Sequence, residues 1–220
     1  MGREARRVHP QVKTLVFNGW AAGPEAWELT TFPRDWTFSY IEQLDALPEK
    51  IMEEFDEVVL VGFSMGGSSA LRMLLKYPEK VKGMVLVSTT PCMMERKSEG
   101  WRGMSERRFT VFALGVDLMF GDDPSPIYDR KQLERGLKYL TDTDIRSQLE
   151  KIETVFPVYV FHSINDGIVR PSNAGYLKSI LPQAMVEMIP GSEHVLPITI
   201  PEKIDAAVED ILERVSRNEA

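Results

Sequence analysis

The sequence predicts an α/β fold: a doubly wound, mostly parallel sheet of about six strands with helices on both faces. Three observations lead there. Short apolar runs alternate with helix-like segments along most of the chain. Several of those runs, "VVLV", "MVLV" and "VYVF", are apolar on both faces, as strands are when helices cover both sides of a sheet. The 220 residues suffice for one well-filled core and are few for two.

The first strand is expected over Val12–Phe17, where the charged stretch "MGREARRVHP" gives way to "VKTLVF". Trp36–Tyr40 reads as the second, and Leu47–Phe55 as the helix after it. Val58–Phe63 is the third strand and runs straight into a helix over Met65–Lys76. Gly83–Ser88, Val158–His162 and Ala184–Ile189 complete the strands, with Asn173–Ile180 helical between the last two. A final helix over Pro201–Val215 opens with proline, a favourable first-turn residue. Residues 92–151 break the rhythm. They are rich in charge, glycine and methionine, hold the loop signal "GDDPSP", and contain no clear strand. The expected organisation is a single core of residues 1–91 and 152–220 with a helical cap, 92–151, inserted between two strands.

Composition excludes several classes. A net charge of -7 disfavours non-specific nucleic-acid binding. No apolar run approaches the roughly 18 residues of a membrane-spanning helix, and no apolar stretch follows the N-terminal arginines as in a signal peptide. The single cysteine, Cys92, rules out an internal disulfide and suits a reducing cytoplasm. It reads as a small buried residue. The three scattered histidines form no metal-ligand pattern, and no cofactor or metal is expected.

The stretch "VGFSMGG" carries the chemistry. It lacks G-x-G-x-x-G spacing and a phosphate-loop Gly-Lys-Ser/Thr, but it matches G-x-S-x-G between a strand and a helix. Such an elbow holds its serine in a strained backbone conformation with the hydroxyl clear of the sheet. Glycines on either side let strand and helix pass closely. Ser64 is therefore the candidate nucleophile, and the N–H of Met65 at the helix start faces a developing oxyanion. A nucleophilic serine needs a base and an orienting acid. His194, in "GSEHVLP" after the last strand, fits the base. Asp166, in "HSINDGIVRP" after the preceding strand, fits the acid, although Asp-Gly is also an ordinary turn pair. His9 reads as a surface residue and His162 as packed or hydrogen-bonded at a strand end. Glu193 is a weaker competitor for the acid. The loop "FNGWAAG" after the first strand is placed to supply a second oxyanion N–H, from Trp20, whose indole could also wall the pocket.

With "NGW", "GFSMGG", "INDGIV" and "GSEHVLP" the chain resembles the α/β-hydrolase superfamily over nearly its whole length. "NGW", "TTPC" and "LERGLKYLTDTDIRSQLEKI" make it most similar to the esterases of biotin synthesis that act on pimeloyl-[acyl-carrier protein] methyl ester. The resemblance implies a serine carboxylesterase with Ser64, Asp166 and His194 as its triad and Trp20 and Met65 as oxyanion donors. It implies a small-molecule or acyl-carrier-bound ester as substrate. Asn18-Gly19 stands where that superfamily usually has His-Gly. The same triad would serve a thioesterase or a C–C hydrolase, and a fold of this kind can also bind a ligand without turnover. An intact triad disfavours the last. Phe109 and Phe112, with the methionines of 92–151, are candidates for an acyl-chain pocket, or else for packing within the cap. Five basic residues against three acidic ones between Glu95 and Arg108 would attract an acidic carrier protein, or form a solvated helix face.

Overall fold

A computed structural model describes residues 12–20, 22–92 and 130–217. Six strands, all parallel, form one sheet: β1 (Val12–Phe17), β2 (Trp36–Phe38), β3 (Glu57–Phe63), β4 (Val81–Val87), β5 (Val158–Ser163) and β6 (Met185–Ile189), in the order β2-β1-β3-β4-β5-β6. The side chains of β3 alternate between two cores. Val58 and Leu60 join helices α1 (Leu47–Glu54), α2 (Met65–Lys76) and α5 (Ser172–Ile180) on one face. Val59, Val61 and Phe63 join the long helix α7 (Pro201–Ser216), the short helix α6 (Leu196–Thr199) and the 3-10 turn Pro24–Trp27 on the other. Period-two side-chain alternation thus becomes two apolar layers, and burial on both sides explains why the central strands read as continuous apolar runs.

The strand order reverses between β1 and β3. In open α/β sheets such a switch point leaves a crevice at the carboxyl ends of the strands, where ligands bind. The loop after β1 and the turn after β3 meet there. Above them lies a third apolar cluster, in which Trp20, Tyr40 and Met65 pack against Leu133 and Leu140 of helix α3 (Arg130–Asp142). Helix α4 (Arg146–Leu149) follows. Cys92 and Asp144 form an antiparallel bridge, and the N–H of Ile145 donates to Pro91 O at 3.1 Å. The chain therefore leaves the sheet and returns to it at nearly the same place.

Some boundaries differ from the sequence expectation. β2 stops at Phe38, not Tyr40, because the Glu42 carboxylate accepts from both the N–H and the hydroxyl of Ser39, at 2.8 and 3.0 Å. That cap turns the chain into the 3-10 turn Glu42–Leu44. β4 ends at Val87 because Ser88 takes φ 47°. β6 starts at Met185, not Ala184, and is an edge strand with Met185, Glu187 and Met188 exposed.

Candidate active site

Ser64 is the hinge of the site. It caps α2 with φ 53° and ψ -117°, a region that non-glycine residues rarely occupy and that costs of order 1–3 kcal/mol. The surroundings hold it there. Its N–H donates to Val87 O at 2.9 Å, and its carbonyl accepts from Thr89 Oγ1 at 2.7 Å and from Gly67 N at 3.0 Å. The flanking glycines are required by close approach. A Cβ on Gly62 would sit 2.6 Å from Gly66 O, and one on Gly66 would sit 2.0 Å from Phe17 O. The strand, the turn and the loop after β1 are pressed together at that point, and only hydrogen fits.

His194 lies on the loop between β6 and α6. Its Nε2 is 2.9 Å from Ser64 Oγ, and its Nδ1 is 2.8 Å from Asp166 Oδ2. Its ring packs on Phe63 with centroids 5.2 Å apart. Because a carboxylate oxygen only accepts, Nδ1 carries a proton, which leaves Nε2 free in the neutral ring to receive one from Ser64. Ser163, at the end of β5, donates its hydroxyl to Ser192 O, so the loops that carry Asp166 and His194 are tied to each other.

Asp166 is buried, and its second oxygen, Oδ1, accepts from the N–H groups of Ile168 and Val169, each at 2.8 Å. Burial pushes this carboxyl up. The hydrogen bond and charge of His194 and the two backbone N–H groups outweigh that, and the net shift is downward. The carboxylate is thus charged at neutral pH. Glu193 is exposed beside His194.

The loop after β1 runs alongside the serine. A Cβ on Gly19 would fall 3.5 Å from Ser64 Cβ. Asn18 is buried, takes the Trp27 indole N–H on Oδ1 at 2.5 Å, and has its carbonyl held by Gln43 Nε2 at 3.0 Å. Its side chain therefore anchors the loop from below. The Trp20 indole donates to Leu133 O at 2.9 Å, so that ring is fastened under α3. Met65 opens α2, and as the first residue of the helix its N–H has no acceptor within it. Phe109 and Phe112, the basic residues between Glu95 and Arg108, and His9 lie outside the described residues.

Residues that the sequence did not single out support the site. Thr89 holds the Ser64 carbonyl and Gln43 holds Asn18, and both are ordinary polar residues far away in sequence. His162, which the sequence places as packed or hydrogen-bonded, is fully buried, and its Nε2 lies 3.1 Å from Val169 O and 3.4 Å from Asp166 Oδ2. Among the described residues no group of three or more His, Cys, Asp or Glu is placed to hold a metal ion, and no helix is long and apolar enough to cross a membrane.

A model of the alpha/beta hydrolase fold matches residues 29–117. A hydrolase from Pseudomonas aeruginosa superposes with a TM-score of 0.71 at 17% identity, covering 93% of this chain and 91% of its own. An enol-lactonase from Burkholderia xenovorans does so with 0.71 at 14% identity, covering 95% and 94%. The chain has the α/β-hydrolase fold. Among curated proteins, it is 27% identical to the pimeloyl-[acyl-carrier protein] methyl ester esterase of Nitrosomonas europaea over 74% of this chain and 75% of that protein. It is 24% identical to the esterase of the same name from Aromatoleum aromaticum over 90% and 97%.

Proposed function

We propose that the protein is a serine carboxylesterase that works through an acyl-enzyme on Ser64. The observation that carries this reading is the unbroken relay from Ser64 Oγ to His194 Nε2 at 2.9 Å and from His194 Nδ1 to Asp166 Oδ2 at 2.8 Å, on a serine held at φ 53°. His194 takes the Ser64 proton as Oγ bonds to the ester carbonyl carbon. Asp166 keeps the ring in the right tautomer and stabilises the imidazolium. The tetrahedral oxyanion faces the N–H groups of Met65 and Trp20. Collapse expels the alcohol, which takes its proton from His194. Water, deprotonated by the same histidine, then releases the acid and restores Ser64. No cofactor enters these steps.

For the substrate we favour an acyl ester like pimeloyl-[acyl-carrier protein] methyl ester, on the strength of the relatives that carry that name. Residues 92–151 would form the cap that selects it. The bridge between Cys92 and Asp144 and the packing of α3 on Trp20 support a segment that rises over the carboxyl edge of the sheet. A cytoplasmic setting suits the lone buried Cys92. The test is a panel of p-nitrophenyl esters of rising chain length beside a methyl-ester acyl-carrier-protein substrate, with Ser64→Ala as control. A fluorophosphonate should label Ser64, as read by mass spectrometry. Full turnover by Ser64→Ala, or an adduct on another serine, would reject the mechanism. A thioester cleaved faster than its oxygen ester would move the reading to a thioesterase.

A further inference from the structure

His162 stands out among the buried titratable groups because the relay does not need it. It is the last residue but one of β5, is wholly inaccessible, and sits four residues before the acid. Its Nε2 is 3.1 Å from Val169 O. A carbonyl oxygen only accepts, so Nε2 carries the proton, and in the neutral ring Nδ1 does not. Nδ1 is buried without a hydrogen-bond partner among the described residues. Nε2 also lies 3.4 Å from Asp166 Oδ2, the oxygen that accepts from His194 Nδ1. Val169 in turn donates its own N–H to Asp166 Oδ1 at 2.8 Å. One imidazole thus grips the loop that grips the carboxylate, and it lies beside the carboxylate itself.

We propose that His162 is a positioning residue for the relay: as a neutral imidazole it clamps residues 166–169 through Val169 O and so holds Asp166 Oδ2 in line with His194 Nδ1. The inference rests on the serine-hydrolase reading of Ser64, His194 and Asp166. Space filling alone does not call for a histidine here. Leucine or phenylalanine would fill the volume without a desolvated ring and an unpartnered nitrogen. Burial pushes the pKa of His162 down, which keeps the ring neutral and its single donor directed. Asp166, on the loop after β5, and His194, on the loop after β6, are the titratable groups whose charges bear on it.

The experiment compares wild type with His162→Phe, which keeps a ring and loses the donor, and His162→Gln, whose amide reaches the place of Nε2. Ser64→Ala serves as control. His162→Phe should keep native circular dichroism and KM and lose about three- to tenfold in kcat, the scale of one neutral hydrogen bond. The low-field proton resonance of His194 Nδ1–H should shift and exchange faster with water. His162→Gln should restore most of kcat and the resonance. If His162→Phe does not fold, His162→Asn replaces it, because its shorter amide cannot span to Val169 O. The proposal is overturned if the folded donor-less variant matches wild type in kcat and low-field resonance. It is equally overturned if His162→Gln loses as much as His162→Phe. Wild-type protein without esterase activity, or an active Ser64→Ala, would sink the serine-hydrolase reading instead. The proton resonance would still report on the contact between His162 and Asp166.

Discussion

Changing Asp166 to asparagine removes a charge and one acceptor while nearly preserving shape, and the structure dictates how the amide must sit. Oδ1 of Asp166 receives two backbone N–H groups, from Ile168 and Val169 at 2.8 Å each. An amide nitrogen in that place would confront two donors with a third, so the carbonyl oxygen of the new side chain must stay there. Its NH₂ is then directed at His194 Nδ1, across what is now 2.8 Å. Two N–H groups cannot face each other at that distance. His194 therefore shifts its proton to Nε2, the atom 2.9 Å from Ser64 Oγ. A protonated Nε2 cannot accept the hydroxyl proton, and the base is lost although every atom is nearly in place. In a serine protease the same change lowers kcat about 10⁴-fold, or ~5.5 kcal/mol at 1.36 kcal/mol per decade. We expect a similar loss here. The assay is steady-state hydrolysis of p-nitrophenyl butyrate at pH 7.5, with fluorophosphonate labelling of Ser64 as a second readout and thermal melting as a check of the fold. A folded Asp166→Asn within tenfold of wild type would show that Asp166 does not set the tautomer.

Ser64→Ala and His194→Ala should each abolish ester hydrolysis, and the double variant should be hardly worse than either, since the relay acts as a unit; additive losses in kcat would contradict it. Gly66→Ala drives a Cβ to 2.0 Å from Phe17 O, so backbone must move. Overpacking on the order of 3 kcal/mol should lower Tm by roughly 6–12 °C, and a melt unchanged within 2 °C would show that the elbow is looser than described. Trp20→Phe removes the indole donor to Leu133 O at 2.9 Å. It should cost about 1–2 kcal/mol of stability in a denaturant titration, and an unchanged midpoint would mean that the bond does not hold α3. The folded-state pKa of His162 lies below its ordinary value of 6.5 because of burial. Between the two values the unfolded chain binds the extra proton, so stability is complete above about pH 6.5 and is lost as pH falls toward the folded pKa. Wild type should therefore melt lower at pH 5.5 than at pH 7.5 by more than His162→Gln does, and equal slopes in the two proteins would contradict the assignment.

The strands β1, β3, β4 and β5 and helices α2 and α7 were legible in the sequence because each is built from a local period or a strong punctuation. A doubly buried strand has to be apolar throughout, and "VVLVGFSMGG" marks its own turn into a helix. The order of Ser64, Asp166 and His194 along the chain was readable for the same reason: each falls on the loop after a recognisable strand. What the sequence could not display is anything resting on contact between distant residues. The end of β2 depends on Glu42 reaching back to Ser39, and an edge position leaves β6 half exposed. The strain at Ser64 is maintained by Val87 and Thr89, and the oxyanion-side loop by Trp27 and Gln43, none of which carries a pattern. His162 is the sharpest case. Its spacing from Asp166 says nothing by itself, because in an extended strand followed by a turn four residues can place two side chains together or far apart. Only the turn at 166–169, closed by two N–H groups on Oδ1, brings that imidazole to the oxygen that His194 uses. Local chemistry determined which residue types could react, while tertiary packing decided which of them meet, because hydrogen bonds and close contacts across the sheet edge join segments that are remote in the chain.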